Sequence, residues 1–201
     1  MKALPIILTG VLILVNAFFV IAEYALVRSR KARLQEMADE GRRGARLALA
    51  QLHEIGEYIA ACQVGVTMAS IGIGALGEPA IGHVFEGVLG GTAGDSAAVV
   101  VSVVIAYLLI TLSLSIVGEI APKLYTIQHA EDLARRVARP LHYSRVLFAP
   151  FIVVLNWASN GLLRAVGTDP DAEPEHGTPD EIKRIIADSR SGGNLDVGEA
   201  N

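Results

Sequence analysis

Apolar and charged stretches alternate along this chain on a scale too long for a soluble fold. Apolar runs cover Ala3 to Val27, Tyr58 to Leu76 and Ala97 to Val117, and a less uniform one covers Ser144 to Val166. The third is the cleanest: 21 uncharged residues whose polar groups are Ser102, Thr111, Ser113, Ser115 and the Tyr107 hydroxyl. At about 1.5 Å per residue, such a helix crosses the roughly 30 Å hydrocarbon core of a bilayer. Between the first two runs the pattern changes to a helical period. Leu34, Met37 and Ala38, then Ala45, Ala48, Leu52 and Ile55, predict two short amphipathic helices joined at Glu40-Gly41. Gly77 to Ser96 predicts a loop, with a short helix or re-entrant segment over Ala80 to Leu89.

Composition supports the same reading. Hydrophobic residues make up 52% of the chain and charged ones 19%, and the apolar share is gathered into uncharged runs. The first run is too long for the apolar region of a signal peptide and has no small-residue cleavage site after it. Arg28, Arg30, Lys31 and Arg33 follow it, as they would a retained helix. Cys62 is the single cysteine, so one chain can form neither a disulfide nor a thiolate cluster.

Basic residues set the expected topology. Seven Lys or Arg follow the first run (Arg28, Arg30, Lys31, Arg33, Arg42, Arg43 and Arg46), and none lies between the second and third. Five follow the third: Lys123, Arg135, Arg136, Arg139 and Arg145. The N-terminus is expected outside and the amphipathic pair in the cytoplasm. Arg42, Arg43 and Arg46 read as facing anionic headgroups rather than nucleic acid. The fourth run, with Asn156, Trp157 and Asn160, either spans or lies along the headgroup boundary as a belt. The charge pattern leaves open the side taken by the acidic segment after it.

The chemistry concentrates where the third run ends. Gly118-Glu119 and Pro122-Lys123 stand at its foot. A carboxylate at the edge of an apolar span must be paired, solvated or bound to an ion. Glycine and proline loosen the backbone there, freeing carbonyl oxygens for a ligand. Glu119 is therefore either a cation ligand or the partner of Lys123 one turn on. Asn16 and Glu23, seven apart in the first run, share a helix face that should meet protein or water. Glu23 also lies close enough to the basic flank to snorkel toward an arginine. In the second run Gln63, Thr67 and Ser70 form a polar stripe beside glycines and alanines, serving either interhelical hydrogen bonds or an ion. His83, His129 and His142 read as surface residues, and no nucleophile–base pair is apparent at a membrane face, so the chain is not expected to be an enzyme.

Three pieces of the chain together resemble the transmembrane domain of the CorC/CNNM (hemolysin-C-like) magnesium transporters: NAFFVIAEYALVRSRKARL from Asn16, AACQVGVTMASIGIGALGEPA from Ala60, and GEIAPKLYTI from Gly118. The resemblance covers roughly residues 1 to 190, and the GE-x-x-PK ending is its most specific element. It implies an all-α membrane protein with three spanning helices, over about 3–27, 58–76 and 97–117. A cytoplasmic short-helix pair and a juxtamembrane amphipathic belt helix over about 141–166 accompany them. It implies a homodimer in the cell membrane with a cytoplasmic C-terminus. Residues 1–167 are then the transmembrane domain and 168–201 an acidic linker, cut before a CBS-domain pair.

The resemblance further implies a Mg²⁺ ion held between the three helices. Glu119 and the Gly118 carbonyl are the third-helix contribution. Where many relatives carry a Gly-Asn-Asn run, alignment on Gly65 puts Val66 and Thr67 at the Asn positions, with Gln63 and Ser70 close by. Where many carry small hydroxyl residues before the glutamate of the first helix, this chain has Val20 and Ala22. Asn16, Glu23 and Ser115 are further pathway candidates. The expected function is Mg²⁺ export, coupled to Na⁺, by alternating access around Glu119. Its rivals are a membrane anchor and dimerisation platform for the absent regulatory domains, and transport of another divalent cation such as Co²⁺.

Overall fold

The structure, a computed structural model, describes residues 3–88 and 96–167. The linker expected over 168–201, and the part of the expected loop over 89–95, lie outside the described residues. Every regular element described is helical. In chain order these are α1 (Ala3–Arg28), α2 (Lys31–Asp39), α3 (Ala45–His53), α4 (Ile55–Val88) and α5 (Ser96–Ser113), followed by a π-helical segment (Leu114–Ile120), α6 (Ala121–Gln128) and α7 (Ala130–Ala165). Among the described residues, four helical stretches are long and apolar enough to cross a membrane: Leu4–Arg28, Ile55–Gly77, Val100–Gln128 and Ala130–Ala165.

α1 and α4 form the central pair, and glycine is the reason they approach so closely. A Cβ at Gly65 would overlap the Phe19 ring, and one at Gly72 would come within 2.9 Å of Leu12 Cδ1. One at Gly77 would meet Thr9 and Ile110 at 2.9 and 3.0 Å. As the α4 numbers rise the α1 numbers fall, so the two helices run antiparallel along a glycine seam. Such small-residue faces bring membrane helices together by dispersion contact between backbones. α5 packs on α4, while the π segment and α6 pack on α1.

The charged ends have their own core. Ala25, Leu34, Met37, Ala38, Ala45, Ala48, Ala134 and Ala138 gather α1, α2, α3 and the start of α7 into one cluster. Gln51 is buried there and donates from Nε2 to the Ala138 carbonyl at 2.7 Å. A second cluster (Phe19, Ala22, Leu26, Tyr58, Cys62 and Leu141) carries the packing toward the membrane-spanning part. The turn joining α2 and α3 is made by Gly41 and Gly44, at φ +73° and +83°. At Gly44 a side chain would also run into the Arg135 carbonyl.

Two elements extend beyond the sequence expectation. α4 continues to Val88 through Pro79, so the expected loop starts as helix, and α7 is continuous through Pro140 and Pro150. Proline removes one donor from a helix without ending it when the freed groups find other partners. Hydroxyls four residues on supply a recurring local bond in this chain. Thr9 donates to the Pro5 carbonyl at 2.8 Å, Thr126 to Pro122 at 2.7 Å and Ser144 to Pro140 at 3.1 Å.

Packing divides the chain into one unit over Met1–Asn156 and another over Trp157–Asn201. Of the second, the described part is the last helical residues of α7 and a turn in which Gly167 has φ +85°. Trp157, Leu162 and Val166 are exposed in it. In the first unit large apolar side chains are exposed along α1, α5 and α7, among them Leu14, Tyr107, Leu147 and Val153. Exposed apolar area on this scale suits hydrocarbon rather than water.

Candidate functional site

A proline at 122 has no N–H to give to the carbonyl of residue 118, the acceptor it would face in an α-helix. The rod of α5 and α6 widens into the π form over the residues just before that proline. π segments inside α-helices occur frequently at functional sites. Here the Gly118 carbonyl is taken by another helix: Asn16 of α1 donates to it from Nδ2 at 3.1 Å. The Asn16 Oδ1 in turn accepts from Ser70 Oγ of α4 at 3.3 Å. One fully buried amide therefore joins three of the four apolar stretches.

Sterics keep this knot tight. A Cβ on Gly118 would approach Leu114 Cδ1 to 2.8 Å and Asn16 Nδ2 to 3.3 Å. Glycine is the residue that lets the amide reach the backbone. Inside a bilayer an unpaired amide or carbonyl is costly, so the three groups stabilise one another.

The other expected site residues are arranged differently. Glu119, next to the knot in sequence, is exposed, and Ser115 is half-buried in the π segment. Lys123 Nζ lies 4.6 Å from the centroid of the Tyr24 ring. Glu23 is half-buried. The stripe on α4 is divided: Ser70 meets Asn16, whereas Gln63 and Thr67 are exposed beside Met68, Phe151, Val154 and Leu155. Val20 and Ala22 are buried in the packing of α1. So the structure brings Asn16, Ser70 and Gly118 together and leaves Glu119, Gln63 and Thr67 on the surface of the single chain. Among the described residues no three His, Cys, Asp or Glu side chains gather as a metal cluster. The oxygens at the knot itself are neutral: the Gly118 carbonyl, the Asn16 amide oxygen and the Ser70 hydroxyl.

A polar cluster outside the sequence expectation fastens α7 to the start of α4. Arg145 donates from Nε to Glu57 at 2.8 Å and lies 3.8 Å from Glu54. Tyr58 Oη is 3.0 Å from His142 Nδ1. These residues lie 84 to 91 positions apart in the chain, so spacing gave no signal for the pairing.

Comparison with known proteins agrees with this architecture. The chain is 37% identical over 196 residues to UPF0053 protein YhdT of Bacillus subtilis, covering 96% of this chain and 42% of that protein. It is 34% identical over 201 residues to UPF0053 protein YhdP of the same organism, covering 99% and 45%. With UPF0053 protein sll0260 of Synechocystis the identity is 31% over 193 residues, covering 94% and 42%. The chain thus spans less than half the length of these relatives. The family model described as the cyclin M transmembrane N-terminal domain matches residues 7–199, and the chain belongs to that family, CNNM.

Proposed function

We propose that this domain moves Mg²⁺ out of the cytoplasm, coupled to Na⁺, through a cation site at the Gly118-Glu119 foot of the third span. The observation that carries the reading is the buried Asn16–Gly118–Ser70 knot at a π distortion, where three apolar helices meet. It supplies carbonyl, amide and hydroxyl oxygens, the hard donors that Mg²⁺ takes, beside a single carboxylate. With so few side-chain oxygens the ion would keep several of its waters. Glu119 is exposed in the single chain, so cation binding on this reading requires the π segment to turn its carboxylate toward the knot.

Orientation and assembly belong to the same proposal. The excess of Lys and Arg after the first and third spans supports an outside N-terminus and a cytoplasmic C-terminus. Gln63 and Thr67, exposed in an apolar span, favour a homodimer that covers them. On this reading α7 is the belt at the cytoplasmic boundary, and regulatory CBS domains follow in the full-length protein.

Proteoliposomes loaded with a Mg²⁺-sensitive dye test the transport. The expected result is Mg²⁺ flux that requires a Na⁺ gradient and is abolished by Glu119→Gln. Mg²⁺ should also raise the unfolding temperature of the parent chain and not of the variant. Folded protein with neither flux nor a Mg²⁺-dependent shift would favour the anchoring reading. Competition by Co²⁺ in the same assay would change the cargo and keep the site.

A further inference from the structure

The turn between α2 and α3 encloses a concavity of about 340 Å³, lined by Ala38, Gly41, Arg42, Arg43, Gly44 and Arg46. Two positive-φ glycines fold the chain so that three arginines surround one small space. Three acids lie nearby, of which Asp39 accepts from Gln35 at 3.0 Å. Glu40 accepts from Arg42 at 2.8 Å, and Asp132 is held by Arg135 at 2.6 Å. Arg43 and Arg46 are exposed, and among the described residues neither is in an ion pair. Two guanidiniums without counter-ions at the rim of a concavity are suited to forked hydrogen bonds with phosphate oxygens.

Position selects the source of the phosphate. The α2–α3 pair leaves one membrane-length helix at Arg28 and enters another at Ile55, so both of its ends are tied to the same face of the bilayer. The pair is therefore held on one side of the bilayer, its ends at the headgroup layer, where basic side chains gain from anionic lipid. We infer that this turn is a headgroup site for an anionic phospholipid, with Arg43 and Arg46 holding the phosphate and Arg42, paired with Glu40, forming part of the wall. The site is independent of any cation pathway, since it uses no residue of the Asn16–Gly118–Ser70 knot.

The test is lipid titration of the purified full chain in neutral detergent, read by native mass spectrometry and by the unfolding temperature. The probes are phosphatidylglycerol, phosphatidylcholine and inorganic phosphate. Phosphatidylglycerol is expected to bind and stabilise, and the double variant Arg43→Gln/Arg46→Gln to lose about 10- to 30-fold in apparent affinity. Lys31→Gln/Arg139→Gln removes equal charge from exposed positions outside the concavity and should lose several-fold less than the concavity pair, since it weakens the field without removing the fork. Lysine at both 43 and 46 keeps the charge without the fork and should fall between the two. Equal losses in the two glutamine pairs would mean diffuse attraction and overturn the site. So would unaltered binding with lysine, or stabilisation by inorganic phosphate as strong as by the lipid.

Discussion

The side-chain amide of Asn16 donates to the backbone carbonyl of Gly118 across 3.1 Å, although the two residues are 102 positions apart. Pro122 explains why that carbonyl is open to a side chain: a donor missing from one helix is replaced by a donor from another. Ser70 completes the set by donating to the same asparagine.

Asn16→Leu should therefore destabilise the chain more than a surface change in the same span. It leaves the Gly118 carbonyl and the Ser70 hydroxyl unpaired, a loss of about 1–2 kcal/mol by the measured range for interhelical bonds in membranes. Thermal unfolding in detergent checks this. Leu14→Ala, at an exposed position of the same span, is the comparison and should change little.

Pro122→Ala returns an N–H to position 122, and the expected outcome is relaxation of Leu114–Ile120 from π to α geometry. The unfolding temperature should hold or rise, since a helix-breaking residue is replaced by the best helix former. Glu119 should rotate relative to α1, and any Mg²⁺-dependent stabilisation should weaken. Backbone amide chemical shifts across residues 114–122 would report the change of helix type.

The glycine seam makes a paired prediction. Gly65→Ala forces a methyl into the Phe19 ring and should cost about 1–3 kcal/mol, as overpacking does. Gly74→Ala, one of the glycines with nothing within 4 Å of the added methyl, should be neutral or slightly stabilising. Unfolding measured side by side separates the two, and Phe19→Leu should recover part of the Gly65→Ala loss.

Gly44→Ala and Gly41→Ala form a second pair. Both sites have positive φ, which costs an alanine about 1–2 kcal/mol. At Gly44 the new methyl also meets the Arg135 carbonyl, whereas Gly41 has open space. Gly44→Ala should lose more stability than Gly41→Ala, and protease nicking of the turn would show the same order.

Uncharged length alone marks most of α1, the first part of α4 and α5, because a bilayer leaves few other places for such runs. The continuation of α4 through Pro79 and the unbroken course of α7 were not legible. Proline ends a helix in water more readily than in a setting where its freed carbonyls are met by neighbours. At the site, Gly118 and Pro122 advertise a loosened backbone, and Asn16 and Ser70 are visible as polar residues in apolar runs. Their meeting at one point depends on the antiparallel register of α1 and α4, which the seam glycines set through contacts distant in the chain. Gln63 and Thr67 share the stripe with Ser70, yet they sit at the edge of that contact and stay exposed.

Close meshing of Phe19 with Gly65 and Leu12 with Gly72 means that α1 cannot slide along α4 without collision. The pair should behave as a single stiff post through any working cycle. A stretch wound with an extra residue per turn has slack instead, because its hydrogen bonds can shift by one partner and pass the surplus along. Motion inside the bilayer should then be confined to Leu114–Ile120, and deuterium uptake should rise there well before it does along the post.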